Sequence, residues 1–518
     1  MVMNSPKAAH SPKPAGQPRG GDVGALDAWF EITKRGSTVG REVRGGLVTF
    51  FAMAYILALN PIIIGMQADK NGLLLSGAPK FTDAAAGVID TAAVNQSVAM
   101  VAAATALIAG LVTILMGVWA RFPLGLATGL GLNALLAYVI APQMTWPQAM
   151  GLVVWEGIVI AILVLTGFRT AVFRAVPKAL RTAISVGIGL FISFVGLMDA
   201  GIVRKPAGAP PVELGINGSL QGWPIFVFLF GFLLLIGLYV KKVKGAMLIS
   251  IIAATVLAVI IQSFAKLGNA TAEQPTGWML NLPNLPTAET FHLPNLGLIG
   301  QVDMVGAFFV DGKFSWTVAI GLVMLIFSLL LADFFDTMGT VVAVGSEGKL
   351  LDAHDNPPRV KEILLVDSIG AIAGGLGSVS SNTTYIESTA GVGDGARTGL
   401  ASVVTGAAFL LGIFFAPLIN MVPSEAAAPV LVFVGFLMIE QVLDIDWADL
   451  SHGIPAFLTL ILMPFTYSIT VGIGAGFISY VFIKLLQGRY KSIHPLMYVV
   501  AVLFVIYFSQ GALLSLLN

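Results

Sequence analysis

The chain has 518 residues, 57% hydrophobic and only 11% charged, with a formal net charge of zero and a mean hydropathy of +0.89. A soluble domain carries about 25% charged residues, so this composition excludes a water-soluble fold, and the balanced, scattered charge excludes a nucleic-acid binder. The absence of cysteine excludes disulfides and thiolate metal sites, and His10, His292, His354, His452 and His494 lack ligand spacing, so no metal and no cofactor is expected.

In chain order, residues 1–40 are rich in Pro, Gly, Lys and Ser and lack the apolar stretch of a cleavable signal, which predicts a disordered cytoplasmic tail. A bilayer span needs about 20 apolar residues. Runs of suitable length fall at 44–65, 92–118, 123–141, 150–168, 177–197, 223–240 and 245–264. The stretch 265–316, with Pro283, Pro286 and Pro294, predicts an irregular external loop. A second set follows at 317–345, 362–378, 382–396, 398–421, 426–443, 454–468 and 470–487, and residues 494–516 form a further apolar stretch, either a fifteenth span or a helix along the interface.

Basic clusters fall in loops of one parity: Lys34, Arg35, Arg41 and Arg44; Arg169, Arg174, Lys178 and Arg181; Lys241, Lys242 and Lys244; Lys349, Arg359 and Lys361; Lys484, Arg489 and Lys491. The positive-inside rule then places the N-terminus in the cytoplasm of a multi-pass inner (plasma) membrane protein, with Arg204 and Lys205 as an exception. Val176-Pro177 precedes Val186-Gly187 much as Val422-Pro423 precedes Val434-Gly435. Two seven-helix sets must insert in opposite orientations, the inverted-repeat plan of secondary transporters, although proline at a helix start also reflects its ordinary N1 preference.

Two runs are too rich in Gly, Ser, Thr and Asn for lipid-facing helices: Phe122 to Asn133, and Gly377 to Gly391. They hold the third position of each set. Each reads as an extended piece followed by a half-helix whose N-terminus points at the bilayer midplane, or alternatively as a small-residue packing surface. The eighth run places Asp333 and Asp336 about one turn apart, and Glu387 lies in the tenth. An acid at the centre of a span costs about 2.5–3.5 kcal/mol on insertion scales, so function is the default reading for Asp336 and Glu387, while Asp333 reads equally as a cap or packing residue. Pairing of one acid with Arg397 is the structural alternative. Two carboxylates facing one cavity suit a solute with several N–H donors, and one of them can load and release a proton.

Thr383-Thr384-Tyr385-Ile386-Glu387 with Gly391-Val392, the run Asp336-Thr337-Met338-Gly339-Thr340, and Gly129-Leu-Gly-Leu-Asn-Ala134 together resemble the AzgA-like purine permeases of the nucleobase/ascorbate transporter superfamily, over about residues 28–510. The resemblance implies an all-α membrane fold of fourteen helices in two inverted repeats. Between the tail (1–40) and the external loop 265–316 read from the residues, it implies a core domain (41–175 and 317–422) and a gate domain (176–264 and 423–490), and 491–518 is an extra apolar helix that departs from the family plan. The resemblance further implies proton-coupled import of hypoxanthine, guanine or adenine, and homodimers joined through the gate. By motif position, Asp336 and Glu387 are the substrate acids, Asn133 the polar residue at the first break, and the Ile386 amide a base contact. Gly131, Thr337, Thr384 and Tyr385 flank them in the same motifs, and Glu387, Asp336 and Asp333 are the candidates for proton coupling. Asp336-Thr337 stands where the uracil and xanthine branches carry Glu-His, which favours the purine branch.

Rival classes fit less well. An anion carrier of the same fold would want a cation or bare helix N-termini where two acids sit. An enzyme would need a catalytic set, and neither H-E-x-x-H nor a phosphate loop occurs; the Gly-rich run from Gly391 to Arg397 reads as a turn.

Overall fold

A computed structural model describes residues 24–83, 88–167, 175–206, 211–271, 274–283, 293–310, 312–352 and 357–517. Residues 1–23 of the expected tail, Arg169, Arg174, Pro286, His292 and His354 lie outside that set. Among the described residues, ten helices are long and apolar enough to cross a bilayer: Val39–Gly65, Thr91–Ala120, Trp146–Leu165, Lys178–Asp199, Trp223–Val240, Ala246–Ala265, Trp316–Glu347, Gly399–Ala416, Ser424–Asp444 and Ile469–Leu486. Shorter apolar helices run over Leu130–Gln143, Leu450–Phe465 and Pro495–Ser509. The protein is an all-α polytopic membrane protein, as its composition requires.

Polar caps start these helices where apolar sequence begins. Asp90 accepts from the Ala93 amide, Ser315 from Val318, Ser468 from Val471, and Thr145 with Gln148 forms a reciprocal capping box. Pro177 and Pro423 are N-cap residues of Lys178–Asp199 and Ser424–Ile439, one position before N1. These two helices pack on each other so closely that a Cβ on Gly435 would lie 2.4 Å from the Gly189 carbonyl oxygen. Helices Thr91–Leu115 and Gly399–Gly412 meet through Gly110 and Gly406, where an added Cβ at Gly406 would come within 2.5 Å of the Gly110 carbonyl. Small residues let backbones approach where no hydrophobic force drives helices together in lipid.

The two Gly-rich runs are not spans. Leu126–Thr128 and Asn382–Thr384 are extended and pair antiparallel, Leu126 opposite Thr384, Ala127 opposite Thr383 and Thr128 opposite Asn382. Each leads into a short helix, Leu130–Ala134 and Ser388–Gly393. Extended backbone in the membrane survives only with its polar groups satisfied by protein. Here Thr113 Oγ1 donates to the Leu126 carbonyl and accepts from the Leu126 amide, both at 2.9 Å, Ser388 Oγ accepts from the Gly125 amide, and the Gly129 amide donates to the Ser381 carbonyl.

Two expectations change, and the expected helix at the carboxyl-terminal end gains its packing partners. From Gly24 onward the amino-terminal segment is folded: helix Ala25–Phe30 lays Trp29 against the Arg121 guanidinium, 4.2 Å from its ring centroid, and Arg35 donates to the Arg121 and Arg397 carbonyls. The low hydropathy of this stretch hid its role as a clasp. The connection 265–316 is a packed cap in its described parts, burying Trp278 and Leu298, forming the hairpin Phe309–Val310 with Lys313–Phe314, and donating the Met279 amide to Glu425. Finally, residues 495–517 form a helix against Trp316–Glu347 and Ile469–Leu486, with Met497 and Phe504 buried.

Arg35, Arg44, Lys244, Arg359 and Asp394 cluster at one end of the bundle, where Asp394 receives both Arg44 and Lys244 at 2.5 Å. This is its basic end. Hydrogen bonding to Lys244, then to Arg44, holds the Asp394 carboxyl below the ordinary aspartate range.

Candidate functional site

The paired strands bring the two short helices to one place, beside the middle of Trp316–Glu347. Asp336 is exposed and Glu387 half-buried. They are close enough to feel each other's charge. Glu387 occupies the N-cap position of Ser388–Gly393 without capping it, which leaves its carboxylate free to face outward from the break. Its Oε1 accepts the Tyr55 hydroxyl at 2.5 Å. Tyr55 is presented by a two-residue interruption between helices Val39–Met53 and Ile56–Gly65, the second of which contains Pro61 and therefore lacks one internal hydrogen bond.

The remaining expected residues divide. Tyr385 packs its ring 6.4 Å from that of Tyr55 and donates its hydroxyl to the Thr128 carbonyl at 2.6 Å, so it braces the strand crossing. Ile386 is 45% exposed beside Glu387. Asn133 is fully buried, donates to Thr128 Oγ1 at 3.1 Å, and its Oδ1 has no hydrogen-bond partner among the described residues. Thr384 is buried and its hydroxyl is likewise unpartnered among them. Gly131 faces Ile188: an added Cβ would lie 2.4 Å from Ile188 Cγ2. Thr337 turns away from Asp336, donating to Asp367 at 2.9 Å and meeting Thr383 Oγ1 at 2.7 Å.

Asp333, one turn from Asp336, is fully buried beside Thr383 and within reach of the charges of Asp367 and Glu156. Glu156, also fully buried, accepts from Ser381 at 3.5 Å, the outer limit of a hydrogen bond. The expected alternative of an acid paired with Arg397 does not occur: that guanidinium donates to the Val392 and Ala396 carbonyls. Its amide and that of Thr398 go to the buried Glu42.

Sequence reasoning passed over Tyr55, Glu156 and Asp367. The last two carried the same signal that singled out Asp336, an acid inside an apolar run. Tyr55 had only a weak signal, a hydroxyl a few residues before a proline in a span.

One face of Trp316–Glu347 shows where the site opens. From Asp336 toward the basic end, Asp336, Gly339, Val342 and Ser346 are exposed; in the other direction, Ala332, Leu329, Ser328 and Leu325 on the same face are buried. The exposed part of this face therefore runs from Asp336 toward the basic end, and its continuation toward the opposite end is packed.

Residues 84–475 match the xanthine/uracil model of the Permease family. The chain is 35% identical to the adenine permease AdeP of Escherichia coli (strain K12), covering 93% of this chain and 96% of that one, and 35% identical to the guanine/hypoxanthine permease PbuG of Bacillus subtilis (strain 168), covering 93% and 99%. In fold it is similar to the transmembrane domain of the cyanobacterial bicarbonate transporter BicA (TM-score 0.52, 17% identity, 84% of this chain and 96% of that one). It is also similar to the murine anion transporter Slc26a9 in its inward-facing state (TM-score 0.56, 10% identity, 93% and 77%). With a family model covering most of the chain and relatives matched nearly end to end, the chain belongs to the xanthine/uracil permease family, in its AzgA-like purine permease branch.

Proposed function

We propose that this protein is a secondary transporter that imports purine nucleobases, adenine, guanine or hypoxanthine, together with protons by alternating access. The observation that carries the reading is the convergence of Asp336 and Glu387 at the strand crossing, one exposed and one half-buried, in a cleft open at one end. A purine presents N–H donors in one plane, and each ionised carboxylate accepts such donors with charge-assisted strength. Exposed Ile386 offers an apolar surface next to Glu387 for the flat ring. The names of the relatives, adenine and guanine/hypoxanthine permeases, support the substrate class.

The architecture is two inverted seven-helix repeats. Residues 41–175 with 317–422 make a core that holds the site, 176–264 with 423–490 make a gate through which two copies associate, and Pro495–Leu517 is a fifteenth span. Dense packing of Lys178–Asp199 on Ser424–Ile439 and Leu450–Phe465, and of Thr91–Leu115 on Gly399–Gly412, supports that division. The basic end faces the cytoplasm by the positive-inside rule, so the site is open inward. The coupling proton rides on the acids of the site, among which Glu387, Asp336 and Asp333 are the candidates.

The test is uptake of labelled purines by cells lacking their own purine permeases, with and without a protonophore. Wild type accumulates purine and loses accumulation when the proton gradient collapses; Glu387→Gln, which keeps size but removes charge, accumulates none. Unchanged concentrative uptake by Glu387→Gln removes Glu387 from the mechanism, and transport of bicarbonate or sulfate in place of purine overturns the substrate class.

A further inference from the structure

The closed end of the cleft has its own device, which no comparison assigns. Tyr138 lies in the Leu135–Ile140 segment, a π-helical stretch that follows Leu130–Ala134 and re-aims the side chain relative to a regular helix. Its hydroxyl donates to Asp199 Oδ2 at 2.8 Å, across the boundary from the strand-bearing helices to Lys178–Asp199. Asp199 ends that helix, nearly buried, within reach of the Lys80 charge. Its base is rigid, because Ser424 Oγ donates to the Asp199 carbonyl and ties the two packed helices together.

A second observation, independent of the hydrogen bond, lies above it. Tyr467 sits between Leu450–Phe465 and Ile469–Leu486 with φ of 54°, a left-handed conformation that a bulky side chain adopts only when its surroundings impose it. That backbone sets its ring edge-on to Tyr138 at 6.0 Å and to Phe191 at 5.2 Å. A strained tyrosine thus closes over the Tyr138 hydroxyl, which joins the two helix sets at this end. Beneath it, Ile192 packs toward Gly131 and is fully buried.

We infer that Tyr138, Asp199 and Tyr467 form a latch that seals the end of the permease opposite the basic one and holds the inward-open state. They act as positioning residues for transport, through the core–gate boundary and not through contact with the solute. The inference rests on the alternating-access reading.

The natural absence of cysteine allows a direct test with single-cysteine reporters. Ile192→Cys lies just beneath the latch and Val342→Cys on the open face, and each is labelled with a membrane-impermeant thiol reagent in sealed vesicles of both orientations, without solute. In the wild-type background Val342→Cys labels from the basic side and Ile192→Cys labels poorly from either side. With Tyr138→Phe, which keeps the ring but removes the hydroxyl, Ile192→Cys labelling from the opposite side rises about fivefold or more and Val342→Cys labelling falls. Asp199→Ala gives the same reciprocal change, and the double variant adds little to it. An unchanged Ile192→Cys rate overturns the latch, and so does a rise at both reporters, which is the mark of general loosening. Because no purine is present, failure here is separable from failure of the substrate assignment, and Asp199→Ala serves if Tyr138→Phe does not fold.

Discussion

The two breaks at the centre of this protein, Leu126–Thr128 with Leu130–Ala134 and Asn382–Thr384 with Ser388–Gly393, use one backbone device for different ends. Both are extended pieces that pair with each other and then turn into a short helix. The first is buried apart from partly exposed Gly131 and carries no charge, its Asn133 amide bonded to Thr128 of the preceding strand. The second places a carboxylate, Glu387, at the helix start, half-buried and held by Tyr55 from a distant helix. The lesson is a division of labour. One break supplies the brace, including the Thr128 carbonyl that receives Tyr385, and the other supplies the charge.

That comparison is sharpened by substitutions of decreasing effect. Glu387→Gln has the largest, abolishing accumulation, because it removes the charge-assisted acceptor for the base and a candidate proton carrier together. Asn133→Ala leaves Thr128 Oγ1 without its buried donor; a loss of about 1–1.5 kcal/mol raises the KM for purine about tenfold while accumulation persists. If Asn133→Ala proved as damaging as Glu387→Gln, the brace-and-charge distinction would collapse. Tyr55→Phe keeps Glu387 charged but unsupported, and a donor to a carboxylate worth about 1.5 kcal/mol predicts roughly a tenfold weaker purine affinity in a binding assay.

The smallest effect belongs to an acid far from both breaks. Asp394 is paired at the basic end with Lys244 and Arg44, both of which are exposed, so Asp394→Asn costs less than about 1 kcal/mol and salt reduces the difference. Its folded-state carboxyl titrates below the ordinary aspartate value of about 3.9. The contribution is therefore complete above that value and disappears as pH falls through the lower folded value. Thermal unfolding of purified wild type and Asp394→Asn should differ near neutrality and converge only as pH falls below the ordinary aspartate range. A difference that grew on acidification would assign the opposite sign.

The membrane class and the position of both breaks were legible in the sequence, because insertion cost and the ban on unsatisfied backbone leave composition little freedom. Asp336 and Glu387 stood out for the same reason. Thr337 and Asp333 were grouped with them by proximity along the chain, yet Thr337 turns to Asp367, and Asp333 is buried with Glu156 and Asp367 on helices far away in sequence. Which of two acids one turn apart meets the cleft depends on what packs against each face, and sequence spacing carries no information about that.

The sequence by itself determined that this chain lives in a membrane, breaks two of its helices and buries charge in the middle, since each follows from the cost of polar groups in hydrocarbon. Only the tertiary structure decided that the strands of the two breaks pair, that Tyr55 holds Glu387, and that the cleft opens toward one end while Tyr138 and Asp199 join at the other. Each of these is a contact between segments tens to hundreds of residues apart, chosen by shape and hydrogen-bond geometry in three dimensions, where local pattern is silent.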